Sequence, residues 1–92
     1  MRERHDYTVV FEEEPEGGYT VEVPALRGCV TYGESLTDAL DMARDAIELY
    51  LLSLADEGEP APPDAEEVTV ALEGQQEAMV VRLRMEEARQ VA

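Results

Sequence analysis

The chain has no lysine, one histidine and one cysteine, and each scarcity closes off a class of function. A single cysteine, Cys29, excludes an intrachain disulfide and with it a disulfide-stapled secreted scaffold. A catalytic cysteine needs a base to raise its thiolate fraction, and the sole histidine, His5, lies ahead of the first predicted strand. Cys29 therefore reads as a small buried strand residue and His5 as an exposed tail residue. Zinc sites take about three or four Cys, His or carboxylate ligands, and one cysteine with one histidine is too few. No metal and no cofactor is expected. No apolar run approaches the roughly 18 residues that cross a bilayer. Residues 1–6 lack the apolar centre of a signal peptide, so the expected compartment is the cytoplasm.

With lysine absent, seven arginines are the whole cationic complement against 22 acidic residues. The formal net charge is −15 and the pI about 4.1. Nucleic acid is held through Lys and Arg contacts to phosphate, so most of this surface repels it. An acidic surface steers toward basic partners, and it also keeps a protein soluble. An apolar content of 45% excludes a disordered chain. Ninety-two residues make one domain, residues 1–92, with a modest core that gains from oligomerisation.

Residues 7–12 alternate, with Tyr7, Val9 and Phe11 on one face. Residues 13–18 carry Pro15 and the Gly17-Gly18 pair and read as a turn. Tyr19, Val21 and Val23 form the inward side of a second strand, expected to pair with the first as a hairpin. Pro24 has no N–H and ends that ladder. Gly28 turns the chain into a short third strand over residues 29–32, which Gly33 breaks. Ser35 is placed to cap a helix, with Asp38 as capping-box partner. Leu36, Ala39, Leu40, Ala43, Ile47, Tyr50, Leu51 and Leu54 form one stripe at about 100° per residue. The helix, 36–56, closes at Gly58, and the proline-rich residues 59–64 form an extended connector. Residues 68–72 read as a fourth strand and 73–76 as a turn. Residues 78–85 alternate again, and either a fifth strand or a short helix through residue 89 is open. The layout is α+β, one long helix on an antiparallel sheet in the order β-β-β-α-β(-β), with its core in 7–63 and a C-terminal strand or hairpin in 66–85.

Certain positions are hard to obtain together by chance. Val23-Pro24-Ala25-Leu26-Arg27-Gly28-Cys29 is a proline-led turn closed by Gly-Cys. Gly33-Glu34-Ser35 joins a glycine to a helix cap. Ala39-Leu40 and Ala46-Ile47 pair small with large residues on the helix. The run from Gly17 to Pro63 resembles the HicB-like antitoxin family, with its "VPDLPGC…GDT…EAL…EAIE" order, and the resemblance covers about residues 7–63. It implies a reduced RNase H-like fold, with Gly18, Tyr19, Pro24, Gly28, Cys29, Gly33, Ser35, Ala39 and Ala46 as structural motif positions. The function it implies is that of an antitoxin masking a HicA-type toxin, a small basic RNA-cleaving protein. The alternative is an orphan HicB-like module acting as a structural or ligand-binding oligomer with no toxin.

RNase H-type nucleases hold metal ions with grouped carboxylates, so catalysis must be weighed. The acidic clusters are Glu12-Glu13-Glu14-Glu16, Asp38/Asp41/Asp45 and Asp64/Glu66/Glu67. The first strand offers carboxylates only at its ends, Asp6 and Glu12, and few arginines remain to hold a nucleic-acid substrate. No catalytic residue is expected. Many HicB antitoxins add a DNA-binding module, but the residues after Pro63 open like a ribbon module and stop before a second helix, so DNA is not an expected partner. Met42, Leu49 and Leu52 lie roughly 120° or more from the centre of the helix stripe. Apolar residues there imply a covered surface: the chain's own C-terminal strands, a second copy or a toxin. With Met79, Val81 and Leu83 of the C-terminal strand they are the expected oligomer or partner surface.

Overall fold

The computed structural model describes residues 4–70 and 77–86. Its elements are β1 (Arg4–Glu13), β2 (Tyr19–Glu22), β3 (Val30–Gly33), α1 (Leu36–Asp56) and β4 (Ala78–Glu86). The strands form one antiparallel sheet in the order β3-β2-β1-β4, with the helix packed on one face. This is the expected α+β arrangement.

The β1–β2 hairpin turns where the sequence can turn. Glu14 N–H donates to Gly18 O and Gly17 N–H to Glu14 O, both at 2.9 Å, and the two glycines take φ of 106° and 83°. Only glycine adopts such values without steric cost. Gly18 meets a second demand, since a Cβ there would run into the Tyr32 ring. β2 then pairs with β3 through Val21↔Thr31 and Glu22↔Val30. The third strand thus begins one residue later than expected and ends on Gly33 itself. Between β2 and β3, Leu26 N–H donates to Val23 O, Cys29 N–H to Leu26 O and Val23 N–H to Cys29 O at 2.9–3.0 Å, in a loop whose Leu26 side chain is buried in the core.

Helix α1 is capped at both ends by local sequence. Ser35 Oγ accepts from Asp38 N–H at 3.0 Å. The Asp38 carboxylate reaches back to Glu34 N–H, also 3.0 Å, one residue beyond the usual capping-box target at the N-cap. At the other end Gly58 has φ 76°, Gly58 N–H donates to Ala55 O and Glu59 N–H to Leu54 O. That pair of bonds is a Schellman closure. The helix buries Ala39, Ala43 and Ile47 completely, with Leu40, Ala46, Tyr50 and Leu51 packed around them. Opposite lie Tyr7, Val9, Phe11, Val21 and Val23.

The C-terminal half departs from expectation. Residues 68–70 form no strand, and residues 71–76, including the rest of the expected fourth strand and the turn, lie outside the described residues. The alternation of 78–85 is a strand, not a helix, and all nine of its residues pair with β1, from Arg4↔Glu86 to Glu12↔Ala78. The possible helix over residues 87–89 lies outside the described residues. β4 pairs with β1 along its length, β2 covers the other side only at residues 10–13, and beyond that the connector around Asp64 rather than residues 68–70 meets β1. β4 extends β1 beyond the expected start, which places the backbone of His5 in the strand opposite Met85 rather than in a tail.

Candidate functional site

Beyond the end of β2, one edge of β1 lacks a strand, and the post-helix connector fills it. Asp64 accepts from Thr8 N–H at 2.8 Å and from Thr8 Oγ1–H at 2.7 Å, and from Ala65 N–H at 2.8 Å. Arg82 Nε stands 3.7 Å away, and Tyr7 O–H donates to Pro62 O. Burial works to raise the Asp64 carboxyl pKa, but the hydrogen bonds from Thr8 and Ala65 and the Arg82 charge outweigh it and hold the group below its ordinary value. Burial, joined by the Asp64 charge, pushes the Tyr7 phenol up. This cluster ties the connector to the sheet. Composition showed Asp64 only as part of an acidic patch; a Pro-Pro-Asp run after a helix is the local signal for a turn with a capping carboxylate.

The cysteine is buried and free, and burial raises its thiol pKa, the opposite of what a nucleophile needs. Asp6 faces Arg84 Nε at 3.9 Å across the sheet. Among the described residues, no three His, Cys, Asp or Glu side chains group so as to hold a metal ion, and no helix is long and apolar enough to cross a membrane.

The structure divides the expected partner surface. Leu49 and Leu52 are 67% and 61% exposed and Met42 37%, all on the side of α1 away from the sheet. Met79 is partly open at 38%. Leu83 is buried opposite Tyr7, and Val81 packs against the core opposite Val9. These two are therefore core residues, not open surface: the apolar side of a one-sided strand turns to the helix. The same alternation leaves Val80 on the far face, 54% exposed, in register with Val10, Glu22 and Val30 across the sheet. Val30 and Tyr32 are exposed there too, whereas Val10 and Thr8 are buried at the centre. Near the hairpin, Glu14, Pro15, Glu16, Gly17, Thr20 and Tyr32 line a shallow depression of about 460 Å³, where Tyr32 O–H donates to Gly17 O at 2.9 Å.

The motif positions now have places. Gly18 and Tyr19 join the hairpin to β2, Pro24 and Gly28 (φ 79°) bound the loop that carries Leu26, and Gly33 lies under α1. Ser35 caps the helix, and Ala39 and Ala46 face the sheet. A family model described as the HicB-like antitoxin of bacterial toxin–antitoxin systems matches residues 7–88, from β1 through β4. The chain belongs to the HicB-like antitoxin family. Among curated relatives, it is 45% identical over 65 residues to UPF0150 protein Ta0767 of Thermoplasma acidophilum, an overlap of 70% of this chain and 94% of the relative. With UPF0150 protein ssr1765 of Synechocystis it shares 40% over 60 residues, 65% of this chain and 76% of that one. A UPF0150 protein of Helicobacter pylori is 52% identical over 46 residues, 49% of this chain and 64% of its own length. Membership in a toxin–antitoxin family implies a toxin as partner.

Proposed function

We propose that this HicB-like chain is a non-catalytic antitoxin that binds a basic, HicA-type, mRNA-cleaving toxin in the cytoplasm and covers its active site. The observation that carries this reading is the family match across residues 7–88. The charge supports it: a protein at −15 attracts a basic partner and repels RNA. The exposed apolar residues support a protein ligand rather than a small molecule, since the depression beside the hairpin is shallow and framed by Glu14 and Glu16. DNA is not part of the proposal. The chain self-associates through the outer edge of β4 and the adjoining far face of the sheet; among the described residues no strand pairs with that edge.

The test is to sequence the neighbouring reading frames, express any short basic one, alone and with this chain, and follow RNA cleavage in vitro. The expected result is cleavage by the frame's product, suppressed by stoichiometric addition of this protein. This chain alone should leave RNA and RNA/DNA hybrid intact in magnesium or manganese. Absence of a toxic neighbour, or cleavage indifferent to this protein, overturns the reading and favours the orphan oligomer.

A further inference from the structure

We propose that the outer face of α1 is the toxin-docking surface, and that its occupant is a basic protein face with cationic side chains around an apolar hollow. This rests on the antitoxin reading above and names the surface that performs it. Met42, Leu49 and Leu52 recur at spacings that place them along one side of the helix, and all are exposed. Asp38, Asp41, Asp45, Glu48 and Asp56 are exposed along the helix around those apolar side chains, five carboxylates against the single exposed cation Arg44. A partner seated there gains by burying the leucines only if it also answers the carboxylates, which calls for Arg or Lys at its rim.

A second copy of this chain does not meet that requirement. Two such faces in contact would set Asp45 and Glu48 against their own copies, on chains that each carry −15. Like charges brought together and partly dried are disfavoured. The far face of the sheet lacks this acidic excess, because Arg82 and Arg84 stand in β4 beside Val80 and face Asp64 and Asp6. The charge pattern therefore separates the two apolar regions: the helix face for a basic partner, the sheet face for the like chain.

The experiment titrates the inactivated toxin from the neighbouring reading frame against the full chain by calorimetry and stopped flow. Leu49→Asp with Leu52→Asp should weaken binding at least about 100-fold, as loss of central apolar anchors does. Asp41→Asn with Asp45→Asn should slow association several-fold at low salt and flatten its salt dependence, since steering is screened over about 8–10 Å. Arg27→Gln, exposed in the loop between β2 and β3, should bind within about 3-fold of wild type, the scatter expected of a site outside the interface. Leu49→Ser with Leu52→Ser provides a milder variant, and unchanged helical circular dichroism shows that the fold persists. The surface assignment is overturned if the leucine variants bind like wild type, or if Arg27→Gln is the damaging change. A wild-type chain that binds no toxin overturns the antitoxin reading itself, a result distinct from wild type and leucine variants binding alike.

Discussion

Asp64 shows how much one side chain can hold. It completes the hydrogen bonding of β1 where β2 has ended, and it does so as an anion accepting from Thr8 and Ala65. Charge-assisted hydrogen bonds of this kind each contribute about 1.5–3 kcal/mol. Asn at this position keeps the shape but loses the charge and turns an amide donor toward Thr8. Asp64→Asn should therefore destabilise the protein by about 2 kcal/mol at neutral pH. The pH dependence follows from the lowered carboxyl pKa. In the unfolded chain the group titrates near the ordinary value of about 3.9, and in the folded chain below it. Its stabilisation is thus complete above the unfolded value and disappears as pH falls through the folded one. Urea titrations at neutral pH and at about pH 3 should show wild type and variant converging on the acid side; a gap of constant size would mean that the charge contributes nothing.

At the scale of elements, the helix and the third strand approach so closely that one position has no room for a side chain. A Cβ at Gly33 would fall on the backbone N and Cα of Ala39. Backbone cannot swing aside as a long side chain can, so α1 would have to lift from β3. Overpacking of this kind costs about 1–3 kcal/mol. Gly33→Ala should lower the denaturation midpoint accordingly, while Gly58→Ala meets no atom within 4 Å and suffers only from its positive φ. A Gly33→Ala protein as stable as wild type would show that the helix has freedom to shift. The close approach is also why the stripe begins with Ala39 and Ala43 and reaches full-sized Ile47 only further along.

For the whole molecule, charge and shape pull in opposite directions. A formal charge of −15 on a 10.2 kDa chain repels copies of itself, yet among the described residues no strand pairs with the outer edge of β4, and Val80, Val30 and Tyr32 form an apolar far face. Unpaired edges are commonly blunted by charge, and here Arg82 and Arg84 serve that purpose. Pairing across β4 would remove the edge and keep the acidic helix faces apart. Light scattering should give a mass that is a multiple of 10.2 kDa. Val80→Asp should lower that mass and Leu49→Asp with Leu52→Asp should leave it unchanged. A wild type that stays monomeric at high concentration ends the claim of self-association; loss of mass in the leucine variant moves the interface to the helix.

Local chemistry was readable without any structure. The hairpin, the proline-led loop, the Ser35 cap, the helix stripe and its glycine closure depend on residues a few positions apart, so their signals are complete within a short window. The family resemblance rests on these same segments. Tertiary structure decided what depends on distant pairing. It set β4 along β1, which drew Val81 and Leu83 into the core and turned Val80 outward. It left residues 68–70 without a strand, because alternation permits a strand but only pairing with a neighbour forms one, and the connector met β1 through Asp64 instead. It buried Thr8 and Val10 on the face that alternation alone assigns to solvent, where Thr8 bonds to Asp64 of the connector. It also gave Asp64 its partners, 56 positions away at Thr8, a contact that no pattern in the sequence specifies because it forms only when the connector crosses the end of β2.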